Sequence, residues 1–595
     1  MTLEIGLTLG IIFMALVLFA TEKLRVDLIA LIVLLLVSVT GLVDKEQVFD
    51  GFANPAVITI WAVYIVSGGL FKTGVADALG SLILRLSGAS EMRLIAVIML
   101  ICGIMSAFMN NVGAVAVLMP AVIGISEKTK IPVSKLLIPL AFSSLLGGKM
   151  TLIGTPANIL AQGILVSRGL PSFGFFEITP MGSIVLLTGI AYMVLIGRHL
   201  LPVRETASDP QVLNRMRAYI SEVQVGPQSL LIGKNLYESN LGAEYDLNVL
   251  SVHRNGDLIS RLHRDFVIEE SDHLILEGQV HNLSAAQADL NLVIEPGHDI
   301  RLADLDTKDS YIFEATLSPR STIVGRTLKE TKFRDRFGFT ALAIWRHGDV
   351  ITERLRDVKL NFGDALLLQG HPGRVAALND GNEFLVLQHV DIGTRHRTAK
   401  APLAAGIMLL VIAMAIFTNL GIATAMVIGS VLMVLTGCLS MDDAYKSIDW
   451  RTVFLVGGML ALGTAMENSG TAQYLANLLL GSVGDYGPYA LLAGIYLLSA
   501  LITQPMSNAA AIVLMVPIAV DTALGIDANI LTFTMAVVIG AATSFITPVG
   551  HKANVLVFGP GGYKFFDYTR VGVLLTVFLF IVSMIFLPLL WPFFP

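Results

Sequence analysis

The sequence predicts an all-α polytopic membrane protein with inverted repeats, re-entrant hairpins and broken helices, carrying a cytoplasmic α/β insert of two similar domains. Three observations predict it. Of 595 residues 54% are hydrophobic and only 14% charged, against roughly 25% charged residues in soluble domains. The membrane-length apolar runs are confined to 1–202 and 396–595, while 203–395 is charged and rich in short alternating runs. Motifs of the first apolar part recur in the second, in the same order.

The first run, Ile5 to Ala20, has no basic residue ahead of it and no small-residue cleavage site before "TEKLR", so it reads as a retained membrane helix and not a signal peptide. Helices are expected near 4–20, 27–43, 56–86, 134–167 with a break, and 178–201. Residues 92–126, interrupted at Met109-Asn110-Asn111, read as a hairpin that enters and returns. The second part repeats this with a hairpin around 489–524 and a broken helix at 529–558. Five crossings per half would make the second half run opposite to the first, the architecture of many secondary transporters. The basic clusters at Lys23-Leu24-Arg25, Arg198 to Arg204 and "RHRTAK" (395–400) then share the cytoplasmic side. Both termini would lie outside, most simply in a bacterial inner membrane. Cys102 and Cys438 sit in apolar segments without a ligand pattern and read as inert thiols.

The repeat is carried by three motifs. "AFMNNVGAVAVLMP" (107–120) matches "TQPMSNAAAIVLMVP" (503–517), pairing Asn111 with Asn508 and Pro120 with Pro517 at an offset of 397. "VSGGLFKTGVADAL" from Val66 resembles "VGGMLALGTAMENSG" from Val456, and Asn158 pairs with Asn554 at 396. Thr155-Pro156 is paired with Thr547-Pro548 at 392, which implies four extra residues around Gly550-His551-Lys552 in the second copy.

Irregular backbone at membrane depth is tolerated only where it lines a polar cavity or is enclosed by protein. A broken helix supplies half-helix N-termini for anions and free carbonyls for cations. The Asn111 tip with the break at Gly147–Asn158 is therefore expected to form one site, and the Asn508 tip with Ser544–Asn554 its symmetry mate. Asn111, Asn508, Thr155, Thr547, Lys149 and Lys552 are the candidate substrate-binding residues. Asn110, Asn111, Gly154, Ser507, Asn508 and Ser544 are the candidate oxygen ligands for sodium. Lys149 either pairs with the anion or takes the space of a sodium ion, with Lys552 or His551 as its counterpart, or it is a snorkelling lysine at a helix end. Glu467 and Asn468 read as a helix-end polar pair, and Asp521 and Asp527 as exposed loop residues.

At the hairpin tips and broken helices the sequence resembles the divalent anion:sodium symporter family, of the ion transporter superfamily, which includes sodium-coupled dicarboxylate, citrate and sulfate transporters. The resemblance covers nearly all of both membrane parts. It implies Ser-Asn-Thr hairpin tips and a homodimer in which a transport domain slides past a scaffold as an elevator, with sodium ions bound. The tips here are Asn110-Asn111-Val112 and Ser507-Asn508-Ala509. Both threonines that help to hold carboxylates in the family are replaced. With the tail "VFGPGGYKFFDYTRVG" (557–572), which resembles a subgroup containing sulfate transporters, this favours a compact inorganic oxyanion that helix N-termini can hold. A dicarboxylate or citrate symporter or exchanger is the alternative.

The insert is a tandem repeat, divided at 203–300 and 301–395. "GPQSLLIGKNLYES" (226–239) matches "SPRSTIVGRTLKET" (318–331), and "VLSVHRNGDLISRL" (249–262) matches "ALAIWRHGDVITER" (341–354), both at an offset of 92. The units resemble RCK-C (TrkA-C) domains, which pair with each other and in relatives bind small ligands. A regulatory nucleotide or a purely structural dimerisation role follows from that resemblance. No dinucleotide fingerprint precedes them.

Three function classes besides anion symport can be set against these residues. A potassium channel lacks a "TVGYG" filter. A sodium/proton or arsenite-type antiporter is the runner-up from another transport class; it usually needs membrane-embedded carboxylates, which the breaks do not offer. An enzyme lacks any nucleophile, base and orienter cluster. Anion symport with sodium remains first, with membrane lipid as surroundings and no nucleic-acid partner.

Overall fold

In the computed structural model of the chain, the helices described in the first apolar part recur in the same order in the second, which also holds Thr471–Val483. The structure describes residues 2–21, 24–74, 83, 90–204, 220–245, 247–254, 257–259, 265–277, 280–294, 311–317, 321–346, 349–351, 355–361, 364–371, 383–386, 400–504, 506–548 and 550–594. The first part holds α1 (Leu3–Thr21), α2 (Val26–Val39), α3 (Pro55–Lys72), α4 (Glu91–Ser106), α5 (Asn111–Thr129), α6 (Leu137–Gly147), α7 (Pro156–Ser167) and α8 (Thr179–Tyr192), which runs on to Leu200. The second holds α9 (Ala401–Phe417), α10 (Gly421–Leu435), α11 (Trp450–Asn468), α12 (Thr471–Val483), α13 (Pro488–Ile502), α14 (Asn508–Leu524), α15 (Ile530–Ala541), α16 (Lys552–Phe558) and α17 (Phe565–Leu590).

The helix boundaries have local causes. Asn54 accepts from the Ala56 amide (2.9 Å) with Pro55 in the first turn of α3, and Asn529 caps α15 through Leu531 N (3.0 Å), the side-chain caps that orphan N–H groups require. The helix expected over 56–86 stops at Lys72. Gly74 follows in the left-handed region (φ 71°), a C-terminal stop, and most of 75–89 lies outside the described residues.

The halves pack with partners exchanged. α2 lies against α11 and α10 against α3; α14 lies against α7 and α5 against α16; α8 meets α17. A Cβ on Gly458 of α11 would stand 2.9 Å from the Ala30 carbonyl of α2, so this crossing requires glycine. The exchange is what a pseudo-two-fold axis between the halves produces. One continuous apolar core runs through both. Among the described residues five helices can cross a membrane by length and composition: Leu3–Thr21, Pro55–Lys72, Glu91–Phe108, Thr179–Leu200 and Phe565–Leu590; the other apolar helices described are shorter.

The insert forms two five-stranded sheets of identical topology. Strands β1 (Ile220–Val225), β2 (Asn248–Arg254), β3 (Asp257–Ile259), β4 (His273–Glu277) and β5 (Leu292–Ile294) are ordered β3-β2-β4-β1-β5. Strands β6 (Tyr311–Leu317), β7 (Phe339–Arg346), β8 (Asp349–Ile351), β9 (Ala365–Gly370) and β10 (Phe384–Val386) give β8-β7-β9-β6-β10. The register irregularity at Val249/Ser251 returns at Ala341/Ala343, at the sequence offset of 92. Arg254 clasps buried Asp272 with two bonds of 2.7 Å, and Arg346 clasps Asp364 at 2.8 and 2.7 Å. Each arginine is held above its ordinary value by its carboxylate partner.

Candidate functional site

Each half brings one hairpin tip onto one helix break, and the same four contacts build both. In the first half Ser106 Oγ is 2.7 Å from Asn111 Oδ1 and 2.8 Å from the Ser144 carbonyl. In the second, Thr503 Oγ1 is 3.0 Å from Asn508 Oδ1 and 2.6 Å from the Ala541 carbonyl. One hydroxyl proton serves either acceptor, so each tip asparagine is tied to the end of the helix before the break. Asn158 Nδ2 donates to the carbonyls of Gly148 (3.0 Å) and Thr151 (2.8 Å), and Asn554 Nδ2 to those of Ser544 (2.8 Å) and Thr547 (3.3 Å). A single amide thus satisfies two carbonyls that the break has freed.

These contacts correct the alignment of the second copy. Ser544 stands where Gly148 does and Thr547 where Thr151 does, both at an offset of 396. His551 therefore matches Thr155: Thr155 Oγ1 caps α7 through Asn158 N (3.4 Å), and His551 Nδ1 caps α16 through Ala553 N (3.1 Å). No four-residue insertion exists. The Thr-Pro dipeptides are alike in letters and not in place.

The same frame gives Lys149 a different counterpart. Thr179 Oγ1 donates to the Met150 carbonyl (2.5 Å) as Thr569 Oγ1 does to Ile546 (3.1 Å), and a Cβ on Gly182 or Gly572 would strike the carbonyl of Lys149 or Phe545. Phe545, not Lys552 or His551, is the mate of Lys149. The two mates touch: Lys149 Nζ lies 5.6 Å from the Phe545 ring centroid, within cation–π range. Lys149 is fully buried, and its Nζ has no hydrogen-bond partner among the described residues. Lys552 is instead half-exposed and bonded to Asp449 Oδ2 at 2.7 Å.

Asn110 and Ser507 are helix caps, accepting from Val112 N (3.0 Å) and Ala510 N (3.3 Å). Gly154 closes the first break, where a Cβ would be 2.5 Å from the Gly148 carbonyl. Gly148 faces the tip: a Cβ there would be 2.6 Å from Asn111 Oδ1. In the second half Ser544 Oγ fills that space and donates to Asn508 Oδ1 at 3.2 Å. Thr547 Oγ1 accepts from Gly550 N (3.1 Å). Sequence reasoning missed Ser106, Thr503 and Phe545. The offset of 397 that pairs Asn111 with Asn508 also pairs Ser106 with Thr503, two hydroxyls five residues before the asparagines, and was the available signal. Glu467 and Asn468 are the last two residues of α11, as the helix-end reading has it, with Glu467 3.3 Å from Arg168. One blander reading changes: Asp521 lies in α14, 2.9 Å from Arg168, rather than in an exposed loop.

A family model described as citrate transporter matches residues 16–538. The chain belongs to the citrate transporter family. An uncharacterized transporter of Synechocystis is 36% identical over 99% of this chain and 97% of its own length. Sodium/sulfate cotransporter 2 of Chlamydomonas reinhardtii is 23% identical, over 91% of this chain and 84% of its own. Among solved structures, the YdaH transporter of Alcanivorax borkumensis is 12% identical with a TM-score of 0.47, covering 97% of this chain and all of the other. The GsuK RCK domain is 13% identical with a TM-score of 0.14, over 27% of this chain and 63% of that one. The family member described here is an integral membrane transporter and not an enzyme.

Proposed function

We propose that the chain is a sodium-coupled secondary transporter of a small divalent anion, with an inorganic oxyanion such as sulfate as its cargo. One observation carries the reading: two capped tips rest on two helix breaks, and the asparagines are held by neutral hydroxyls and amides. The amino ends of α5, α7 and α14 offer positive dipole ends and N–H groups that suit an anion. Val112 and Ala509 offer no hydroxyl at the tips, which favours a compact oxyanion over a dicarboxylate. Relatives named as sodium/sulfate cotransporters support the same cargo.

Asn111, Asn508, Thr155 and Thr547 are assigned to the anion, and Asn110, Asn111, Gly154, Ser507, Asn508 and Ser544 to sodium. Lys552 is engaged with Asp449 and is left with a latching role. The helices from α4 to α8 and from α13 to α17 would move as one body against the rest in a homodimer, by an elevator motion between inverted halves. The insert would face the cytoplasm of a bacterial inner membrane with both termini outside, and its two units would regulate transport, with a nucleotide as the candidate ligand. Lys149 supports a second reading, exchange without sodium, because a buried amine beside the break can stand in for a cation.

Uptake of labelled sulfate into proteoliposomes, with and without an inward sodium gradient, tests the proposal. Sodium-driven uptake that unlabelled succinate does not compete for is the expected result. Uptake indifferent to sodium favours exchange, and absence of sulfate uptake refutes the oxyanion.

A further inference from the structure

Cations from the two broken helices meet the two ends of one other helix. Asp449 stands at the amino end of α11, and its Oδ2 lies 2.7 Å from Nζ of Lys552, the first residue of α16. Glu467 lies in the last turn of α11, 3.3 Å from Nε of Arg168, which follows α7. With 19 residues at 1.5 Å each, α11 is about 28 Å long, close to the hydrocarbon thickness of a bilayer. The two contacts are a membrane's width apart.

Each contact joins a sheltered group to one that faces water. The Arg168 side chain is 9% exposed and that of Glu467 54%; Asp449 is 24% exposed and Lys552 55%. Parting them orphans no buried charge. Arg168 keeps Asp521 of α14, 2.9 Å from its Nη1. Asp449 keeps the Thr452 hydroxyl at 2.9 Å and the amino end of α11, which favours an anion. Glu467 and Lys552 turn to water. These contacts can therefore open without the large cost of stripping a buried charge of its partner.

The mate of α11 has no such carboxylates. The offset of 396 that aligns the breaks also aligns Gly74 with Gly470, the left-handed residues (φ 71° and 70°) that follow α3 and α11. It puts Ala53 in the place of Asp449 and Phe71 in the place of Glu467. Lys72, at the end of α3, is bonded at 2.9 Å to Asp443 of the helix Met441–Ser447.

We propose that Asp449 and Glu467 form a two-point ionic clamp, which holds the helices α4 to α8 and α13 to α17 in their present position along α11. The inference rests on the sliding reading above, in which α7, α14 and α16 travel while α11 stays. Both contacts run between the two bodies, whereas Arg168–Asp521 lies within the moving one and Lys72–Asp443 within the other. A slide of two helical turns, about 11 Å, carries both cations away from their carboxylates together. Because the contacts are far apart, their effects add in free energy and multiply in population. The clamp favours one position, and salt weakens it.

Gly463 of α11 and Val513 of α14 supply a gauge that leaves the clamp untouched. A Cβ on Gly463 would stand 3.7 Å from Val513 Cγ1, an ordinary contact, so cysteines at both positions can join across the boundary while the bodies keep this position. Cys102 and Cys438 are fully buried. The test is the rate of disulfide formation in the full-length Gly463→Cys/Val513→Cys chain in proteoliposomes under a mild oxidant. Asp449→Asn should slow it by about threefold, Glu467→Gln by about twofold, and the two together by about sixfold, in chains that remain monodisperse. Raising ionic strength with choline chloride from about 0.1 to 1 M should narrow the gap between the parent and the double variant. Lys72→Gln, which opens a contact within one body, should leave the rate unchanged. No disulfide in the parent, a double variant that reacts as fast as the parent, or equal slowing by Lys72→Gln overturns the clamp. If sodium sulfate alters the rate where the carboxylate variants do not, the bodies slide without a clamp. If neither alters it, the sliding reading falls as well.

Discussion

At the first break the Asn158 amide holds two carbonyls and receives the Thr155 hydroxyl; at the second the Asn554 amide holds two carbonyls and receives a bond from no described residue. Glycine faces the first tip and serine the second; lysine fills one side of the contact between the halves and phenylalanine the other. The shared part is the backbone frame, which must be kept because an unsatisfied carbonyl inside a membrane protein costs several kcal/mol. The divergent part is the set of side chains that hang on that frame. Equal folds around unequal polar groups allow the halves to do different work.

Exchanging the side chains between the breaks should have its largest effect at the tips. Gly148→Ser places a Cβ 2.6 Å from Asn111 Oδ1 and from Thr155 Cγ2, and overpacking of this kind costs about 1–3 kcal/mol. The reverse change, Ser544→Gly, only removes one 3.2 Å bond to Asn508 and should cost about 1 kcal/mol. Thermal unfolding in detergent of both variants checks the asymmetry; equal losses would mean that the tips are looser than their contacts imply.

Lys149→Met should come next, with the opposite sign. Replacing a buried amine that has no hydrogen-bond partner by an apolar side chain of similar length removes a desolvated polar group, which should raise stability by about 1–2 kcal/mol. Transport should fall by about tenfold or more if the amine serves the anion, the expectation for an ionisable group kept inside a membrane protein. A variant that is more stable and equally active would make Lys149 a passive remnant. Thr155→Ala follows, at about 1 kcal/mol for the lost α7 cap. His551→Ala should cost less, since no bond to Asn554 is lost with it.

Much of this comparison could be read from the residues. The constant spacing from Asn111 to Asn508 and from Asn158 to Asn554 carries the repeat, because each asparagine makes the same bonds in both halves. The Thr-Pro dipeptides misled, since a two-letter match says less than constant spacing when one threonine caps a helix and the other bridges the break. That Lys149 lies over its own symmetry mate, Phe545, depends on how the halves meet, which no local pattern records. Gln504 carries no local signal of its own; its Nε2 donates to the Ala500 and Thr543 carbonyls at 3.1 and 3.2 Å, while its buried Oε1 accepts from no described residue.

The insert sharpens the same lesson, with the smallest expected effect. Both units keep the arginine–aspartate clasp, but only the second has Glu383, buried and bonded by Ser321 Oγ (2.6 Å), Thr322 N (2.7 Å), Thr322 Oγ1 (2.6 Å) and Arg336 (3.1 Å). The residue 92 positions earlier is Asn291, whose amide donates to the Gln228 carbonyl at 3.4 Å. Burial pushes the Glu383 carboxyl up, but the bonds from Ser321 and Thr322 and the charge of Arg336 outweigh it and hold the carboxyl below its ordinary value of 4.5. A carboxylate depressed in the folded state stabilises above its unfolded value and loses that contribution as pH falls through the folded one. Glu383→Gln should therefore weaken the second unit by about 0.5–1 kcal/mol at neutral pH, and the difference from wild type should shrink in acid below 4.5. Hydrogen-exchange protection of β6 and β10, compared with β1 and β5 at several pH values, reads this directly. Equal loss in both units would mean that they unfold together, and the difference between them would then be chemical without being energetic.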